Sequence, residues 1–315
     1  MKFTKDFLWK NGMNVNDFVN GIGSVGFQSV ELKNASDLIV KMKSSEAKIY
    51  LTFTSNMVTS GLRGFFAQLI KLGIVKVVVT TAGAVEEDIM KAMGEKFEIG
   101  SFYSDDFKLH EHGENRVGNL IIRNESYMKF EDWFLPFLSE RYNENKRWST
   151  SGLLRGVGLK LSDENSILYQ AANNNVPIFC PGITDGAVGF HLFMFKEKHD
   201  DFVLDIVEDF KDIILASNYD EKKALIALGG GISKHHAVLS GLLNGGFDYA
   251  LYMTTAQVTS GSMSGATTQE AKSWGKIKDD ADAATVIGDV SINFPLAMCR
   301  ALDLLNERGL LKNGS

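Results

Sequence analysis

The sequence predicts an α/β fold: a Rossmann-like parallel sheet with helices on both faces, an inserted middle segment and a helical N-terminal segment. Three observations carry that expectation. Short apolar runs rich in β-branched residues recur without polar alternation, the pattern of strands covered on both faces. Each run ends in Gly, Ser, Thr or Asp. A helical pattern then follows, giving the strand, turn, helix order of a parallel sheet.

In order, residues 1–45 read as helical, with Phe18, Val19 and Ile22, then Leu38, Ile39 and Met42, at helix spacing. Gly21-Ile22-Gly23-Ser24-Val25-Gly26 matches the letters of the dinucleotide fingerprint. The residues before it are helix-like, however, and the fingerprint works only where a strand turns into a helix. A first strand is expected over 47–53, ending in Thr54-Ser55-Asn56 and followed by a helix over 62–72. A second, over 74–79, ends in Thr80-Thr81-Ala82-Gly83 and enters a helix whose first turn is expected to carry Glu86, Glu87 and Asp88. Residues 94–165 interrupt this theme as an insertion. Within it, 97–124 reads as a polar hairpin or loop and 130–135 opens an aromatic helix, dense enough in rings to pack on a sheet edge or another subunit. The theme returns at 176–180, before Pro181-Gly182-Ile183-Thr184-Asp185-Gly186. An amphipathic helix with outward acidic residues is expected over 201–216. Three more strands are expected, at 224–228 before Gly229-Gly230-Gly231, at 247–253 before Thr254-Thr255, and around 285–287 before Gly288-Asp289. No linker or 20–50-residue repeat divides the chain, so 1–315 is expected to be one domain.

Composition narrows the function class. A hydrophobic content of 44% and a charged content of 23% are globular values. The net charge of −6 argues against a nucleic-acid groove, which needs a concentrated basic face. Cys180 and Cys299 are the two cysteines, each in an apolar context, which excludes a disulfide framework and suits a reducing cytoplasm. No secretory leader is expected, nor any apolar run near the roughly 18 residues that span a bilayer.

Ligands of open α/β sheets bind beyond the carboxyl ends of the strands. Ser55, Thr81, Asp185, Gly230, Thr255 and Asp289 are therefore expected at one crevice, although such residues are also common in ordinary βα turns. His235-His236 follows the Gly-rich turn; adjacent helical residues do not share a face, so one of the two is expected to reach the site and relay protons. Near the C-terminus, a Gly-Ser loop leads into a short helical pattern carrying Ser273-Trp274-Gly275-Lys276. A lysine against an aromatic, partly desolvated wall can lose its proton and act as an amine nucleophile; the plain alternative is a surface lysine on a βα loop. A metal centre is not expected, because His110 and His112 find no third ligand nearby in sequence. Gly261-Ser262-Met263-Ser264-Gly265 puts Met263 where a hydrolase nucleophile would stand.

Taken together, these blocks resemble the deoxyhypusine synthase family over almost the whole chain. The matching stretches are Thr54 to Gly61, Thr80 to Asp88, Gly118-Asn119-Leu120 with Lys129 to Trp133, Pro181 to Gly189, Gly229 to His236, and Thr255 to Lys276. The resemblance implies an NAD-dependent transfer of the aminobutyl group of spermidine. A lysine, matched by Lys276, would hold the group as an imine before it passes to a lysine of the translation initiation factor 5A precursor. Matching positions would place Ser55, Asn56, Thr59, Thr81, Ala82, Gly83, Asp185, Gly230, Thr255, Ala256 and Asp289 on NAD. Glu87, Tyr252, Glu270 and Trp274 would line the polyamine site, with His235 transferring protons. The resemblance further implies a homotetramer with sites at the dimer interface. Departures fall on the amine side: Phe190 and Met263 replace two aspartates and Leu239 an asparagine, removing charge-assisted bonds worth roughly 1.5–3 kcal/mol each. Two alternatives stand beside this reading, a related transferase using another amine, such as a homospermidine synthase or an agmatine-linked enzyme, and a non-catalytic NAD-binding scaffold.

Overall fold

A computed structural model describes residues 3–311. Its helices are α1 (Val15–Ile22), α2 (Phe27–Ser44), α3 (Asn56–Thr59), α4 (Arg63–Lys71), α5 (Ala82–Ala92), α6 (Asp106–Glu111) and α7 (Asn124–Glu144). They continue with α8 (Thr150–Lys160), α9 (Ile167–Asn173), α10 (Ala187–Lys196), α11 (Ile206–Leu215), α12 (Gly231–Leu242), α13 (Thr268–Ser273) and α14 (Val290–Glu307). The strands are β1 (Lys48–Thr52), β2 (Val75–Val79), β3 (Glu98–Ile99), β4 (Glu114–Val117), β5 (Leu120–Arg123) and β6 (Arg147–Ser149). After these come β7 (Ile178–Phe179), β8 (Val203–Asp205), β9 (Lys223–Leu228), β10 (Phe247–Thr254) and β11 (Ile277–Ile287). Two compact units result: Met1–Phe53 with Leu72–Val79 and Ile213–Ser315, and Thr54–Lys71 with Thr80–Asp212.

In the first unit, strands pair in parallel in the order β11-β10-β9-β1-β2, so the expected fold class holds. Leu51 registers with Ile226 on one side and Val78 on the other. β9 is buried throughout and β1 and β10 nearly so, which is why these runs lack polar alternation. β11 differs. It starts well before the expected 285, and its partner jumps from Ile277 to Asp282 between Phe247 and Tyr249, leaving a bulge of largely exposed, Asp-rich chain. A charged, irregular edge discourages pairing with other sheets. Helices flank the sheet: α12 lies on β1, β2 and β9, while α2 and α14 pack together against β10. Arg300 of α14 donates to Ser36 Oγ (2.9 Å) and Asp37 (2.7 Å) of α2 and to Asn20 (2.8 Å) of α1. The Gly21–Gly26 stretch is the end of α1 and the entry to α2, as its helical context requires.

The second unit holds the expected insertion. Its polar part forms a small antiparallel sheet, β3-β5-β4, and its aromatic helix, α7, begins earlier than expected and runs through Pro136. Phe130 and Phe134 stack at 5.1 Å along it. Three expectations are corrected here. α5 begins at Ala82, so Glu86, Glu87 and Asp88 lie beyond its first turn, and all three are buried. Residues 203–205 form a strand paired with β6, not the start of a helix. Asp209 of α11 faces inward, accepting the Ser151 N–H (2.6 Å) near the start of α8, where the helix has no backbone acceptor of its own. Asp88 ties three helices: it accepts from Arg63 Nε of α4, and from the Ser166 hydroxyl, Ile167 N–H and Leu168 N–H at the start of α9.

Helices α8 and α9 meet at Gly158, where a Cβ would lie 2.2 Å from the Leu168 carbonyl oxygen. Gly158→Ala should therefore cost about 1–3 kcal/mol in a urea titration. Gly156→Ala, whose Cβ would meet only Arg141 and Phe137 side-chain atoms at 3.3 Å or more, should cost clearly less.

Candidate active site

The expected site residues fall into two groups, one in each unit. In the second unit, α3 is a single turn that the sequence reading missed. Its carbonyl end is met by Lys91 Nζ, which donates to Val58, Thr59 and Ser60 oxygens at 2.6, 2.8 and 3.1 Å. That turn holds Ser55 against α5: a Cβ on Gly83 would lie 2.8 Å from Ser55 Cβ, so glycine is required there. Ala82 and Glu86 in turn meet Gly186, beside the exposed Asp185. Ser55, Thr81, Ala82, Gly83 and Asp185 are thus brought together, with Asn56 exposed on the same turn and Thr59 buried beneath it.

The N-termini in this unit are not alike. Glu86 closes that of α10, accepting the Val188 N–H at 3.0 Å. No side chain caps α5, and the Thr81 hydroxyl before it is buried with no partner among the described residues. An uncapped 11-residue helix with a glycine in its first turn and an orphaned hydroxyl before it fits the phosphate of a dinucleotide. Burial pushes Glu86 up to about 7, and Glu87 up to about 8 against the opposing hydrogen bond from Thr59 Oγ1 (2.6 Å). Tyr127, half-buried beside both acids, is pushed up to about 12, mainly by burial. From the sequence, Glu86 has a place in the helix but no role at the site, and Tyr127 is not named. Three consecutive acids in a helix otherwise made of small and apolar residues and one lysine were the available signal, since such a helix has little polar face to offer water.

In the first unit, Gly229, Thr254 and Gly288 stand at the carboxyl ends of neighbouring strands: Gly229 N–H donates to Met253 O and Gly288 N–H to Thr254 O. Thr255 is exposed and Ala256 half-buried, its N–H donating to Thr254 Oγ1. Asp289 caps α14 through the Ser291 N–H (2.7 Å). Gly230 is fixed by contact, since a Cβ would lie 2.4 Å from Ser264 Cβ, and Ser264 Oγ accepts the Gly231 N–H at 2.9 Å. The Gly-Ser loop therefore closes on the start of α12.

Behind that loop lies a cavity of about 10 Å³, lined among others by Lys234, His235, Tyr252, Met263, Glu270 and Trp274. That volume holds roughly one water. Tyr252 Oη is buried there with no partner among the described residues, and burial pushes the phenol up. His235 is half-buried; burial and the nearby Lys276 charge push its imidazole below its ordinary value, favouring the neutral, proton-accepting form. Trp274 and Glu270 are largely exposed. Lys276 is 6% exposed, and its Nζ sits 5.0 Å from the centre of the Trp274 ring. One expectation about it is corrected. α13 ends at Ser273, and Gly275, at φ +67°, turns the chain out of the helix before Lys276. The Lys276 carbonyl accepts from Phe247 N–H at the amino end of β10, so its backbone is not among the carboxyl-end turns. Of the other departures, Met263 lines the cavity, Phe190 is 58% exposed on α10, and Leu239 is half-buried on α12.

The deoxyhypusine synthase family model matches residues 17–301. The chain belongs to the deoxyhypusine synthase family. A relative from Schizosaccharomyces pombe that bears the deoxyhypusine synthase name is 38% identical over 90% of this chain and 86% of its own. One from Halobacterium salinarum is 37% identical over 91% and 88%. A crystal structure bearing the name, from Entamoeba histolytica, superposes with a TM-score of 0.70 at 28% identity, covering 96% of each chain. Family membership makes the chain a transferase, and the blocks quoted from the sequence all lie inside the matched range or its immediate edge.

The raised carboxylates set a pH dependence. Glu86 and Glu87 titrate near 4.5 when unfolded, so between pH 4.5 and 8 the folded state holds protons that the unfolded state has released. Their contribution is complete below pH 4.5 and is lost as pH rises through 7 and 8. Urea midpoints should fall from pH 5 to pH 8.5, and Glu87→Gln should flatten that slope; an unchanged slope in the variant would rule the assignment out.

Proposed function

We propose that this family member transfers the aminobutyl group of spermidine, through an imine on Lys276, to a lysine of the translation initiation factor 5A precursor, with NAD as cofactor. The observation that carries the reading is the placement of Lys276: a buried amine against an indole and near His235. A nucleophilic lysine must be neutral and shielded from water, and such a wall supplies the shielding. His235, favoured neutral, would take the proton released as the amine attacks. Tyr252 Oη, lacking a partner, and Glu270 would receive a substrate nitrogen. The uncapped start of α5, with Thr81, Ala82, Gly83, Ser55 and Asn56, would hold NAD phosphate and ribose, and Thr59 and Asp185 of the same unit would add contacts there. When bound, that cofactor accepts a hydride and later returns it. The cavity is smaller than a polyamine chain, so binding requires the exposed Trp274 ring to yield. A homotetramer in the cytoplasm, with sites at the dimer interface, is the assembly this reading entails; exposed rings such as Phe27, Phe190 and Phe193 agree with it.

A second reading, transfer from or to another amine, is favoured by Met263: it puts a thioether into the cavity where the family pattern has a carboxylate. Incubation with NAD and spermidine followed by borohydride should leave one aminobutyl unit on Lys276, and adding the factor 5A precursor should raise the precursor's mass by the same unit. Lys276→Arg should abolish both, and His235→Ala should slow transfer by about 10²–10⁴. An adduct without precursor modification supports the second reading, whereas no adduct with any amine leaves only a binding protein.

A further inference from the structure

Lys234 is among the most completely buried lysines of the chain, 3% exposed, and has no part in the reaction derived above. Its Nζ donates to Met263 O at 3.0 Å and Ala266 O at 2.9 Å, and sits 4.1 Å from the centre of the Tyr252 ring. It therefore joins three elements: the start of α12, the core strand β10 and the loop that ends at Ala266. The loop has little else to hold it. Residues 257–262 are exposed and carry only the 3₁₀ turn Val258–Ser260, and Ser264 adds its bond to Gly231. Charge-assisted bonds to two carbonyls are roughly twice as strong as neutral ones. The cation over the tyrosine face adds a further attraction in a desolvated place.

We propose that Lys234 is a positioning residue, which fixes Met263 and the loop around it against Tyr252 and thereby sets the shape of the amine cavity beside Lys276. The inference rests on the functional reading above for the identity of the amine. A methionine or leucine could fill the volume, but neither could donate to the Met263 and Ala266 carbonyls. The buried ammonium is also unfavourable in itself: burial pushes it down to about 8, with Glu270 opposing. A position that only needed packing would not carry that penalty.

Two readouts on the full-length protein test this. Hydrogen exchange, with no substrate present, should show amides 262–266 exchanging about tenfold faster in Lys234→Met than in the parent, with β9 and β10 unchanged and Lys234→Arg intermediate. Kinetics with NAD and spermidine should show KM raised about tenfold and kcat within about threefold. Lys234→Gln, which keeps one donor, replaces the methionine variant should that fail to fold. Unchanged exchange at 262–266, or a rise spread equally over β9 and β10, would overturn the proposal, as would a fall in kcat at constant KM. If the parent forms no adduct with spermidine, the functional reading fails while the exchange comparison still decides whether Lys234 holds the loop.

Discussion

Asp88 accepts four donors from two helices while itself standing on a third, with almost none of its surface in water. Its position illustrates the constraint on which the rest depends: an ionisable group taken out of water must be fully partnered, or it gives up its charge. α5 shows both outcomes on consecutive residues. Asp88 is partnered by Arg63 and the start of α9. Glu86 and Glu87, with fewer donors, are driven by burial toward the protonated form. Because α4, α5 and α9 are fixed to one another through Asp88, the acids and the turn carrying Ser55 keep a defined relation within their unit.

The same constraint sorts the helix starts. Glu86 closes α10, Ser264 closes α12 and Asp289 closes α14, whereas α5 has no such side chain. A carboxylate at a helix start repels an anionic ligand, and a hydroxyl merely occupies a donor. Of these four ends, α5 is therefore the one electrostatically suited to phosphate. In the other unit, Lys276 meets its loss of water differently, against an indole face beside a histidine inclined to stay neutral.

Much of this was legible before any coordinates. Strands covered on both faces must be apolar throughout, so β1, β2, β9 and β10 stood out, as did the Gly, Ser and Thr turns after them. The helical context that spoke against a dinucleotide fingerprint at Gly21–Gly26 was equally local. What stayed hidden depends on distant partners. β11 was seen only at its end, because its exposed, Asp-rich first half reads as loop until β10 lies beside it. Residues 203–205 become a strand only through pairing with β6. Asp209 read as an outward acid because nothing near it in sequence announces the Ser151 N–H.

The candidate site divides along the same line. Residue type and order alone determined the turn residues, the His235 pair and the lysine after Ser273-Trp274-Gly275, because chemistry is a property of side chains and turns are encoded over a few positions. Only the tertiary structure decided that Lys276 stands past its helix beside the amino end of β10, that Lys234 is turned inward onto the Met263 and Ala266 carbonyls, and that Glu86 accepts the Val188 N–H at the start of α10. Those facts depend on which groups are removed from water together, and desolvation is set by neighbours as distant in sequence as Val188 is from Glu86.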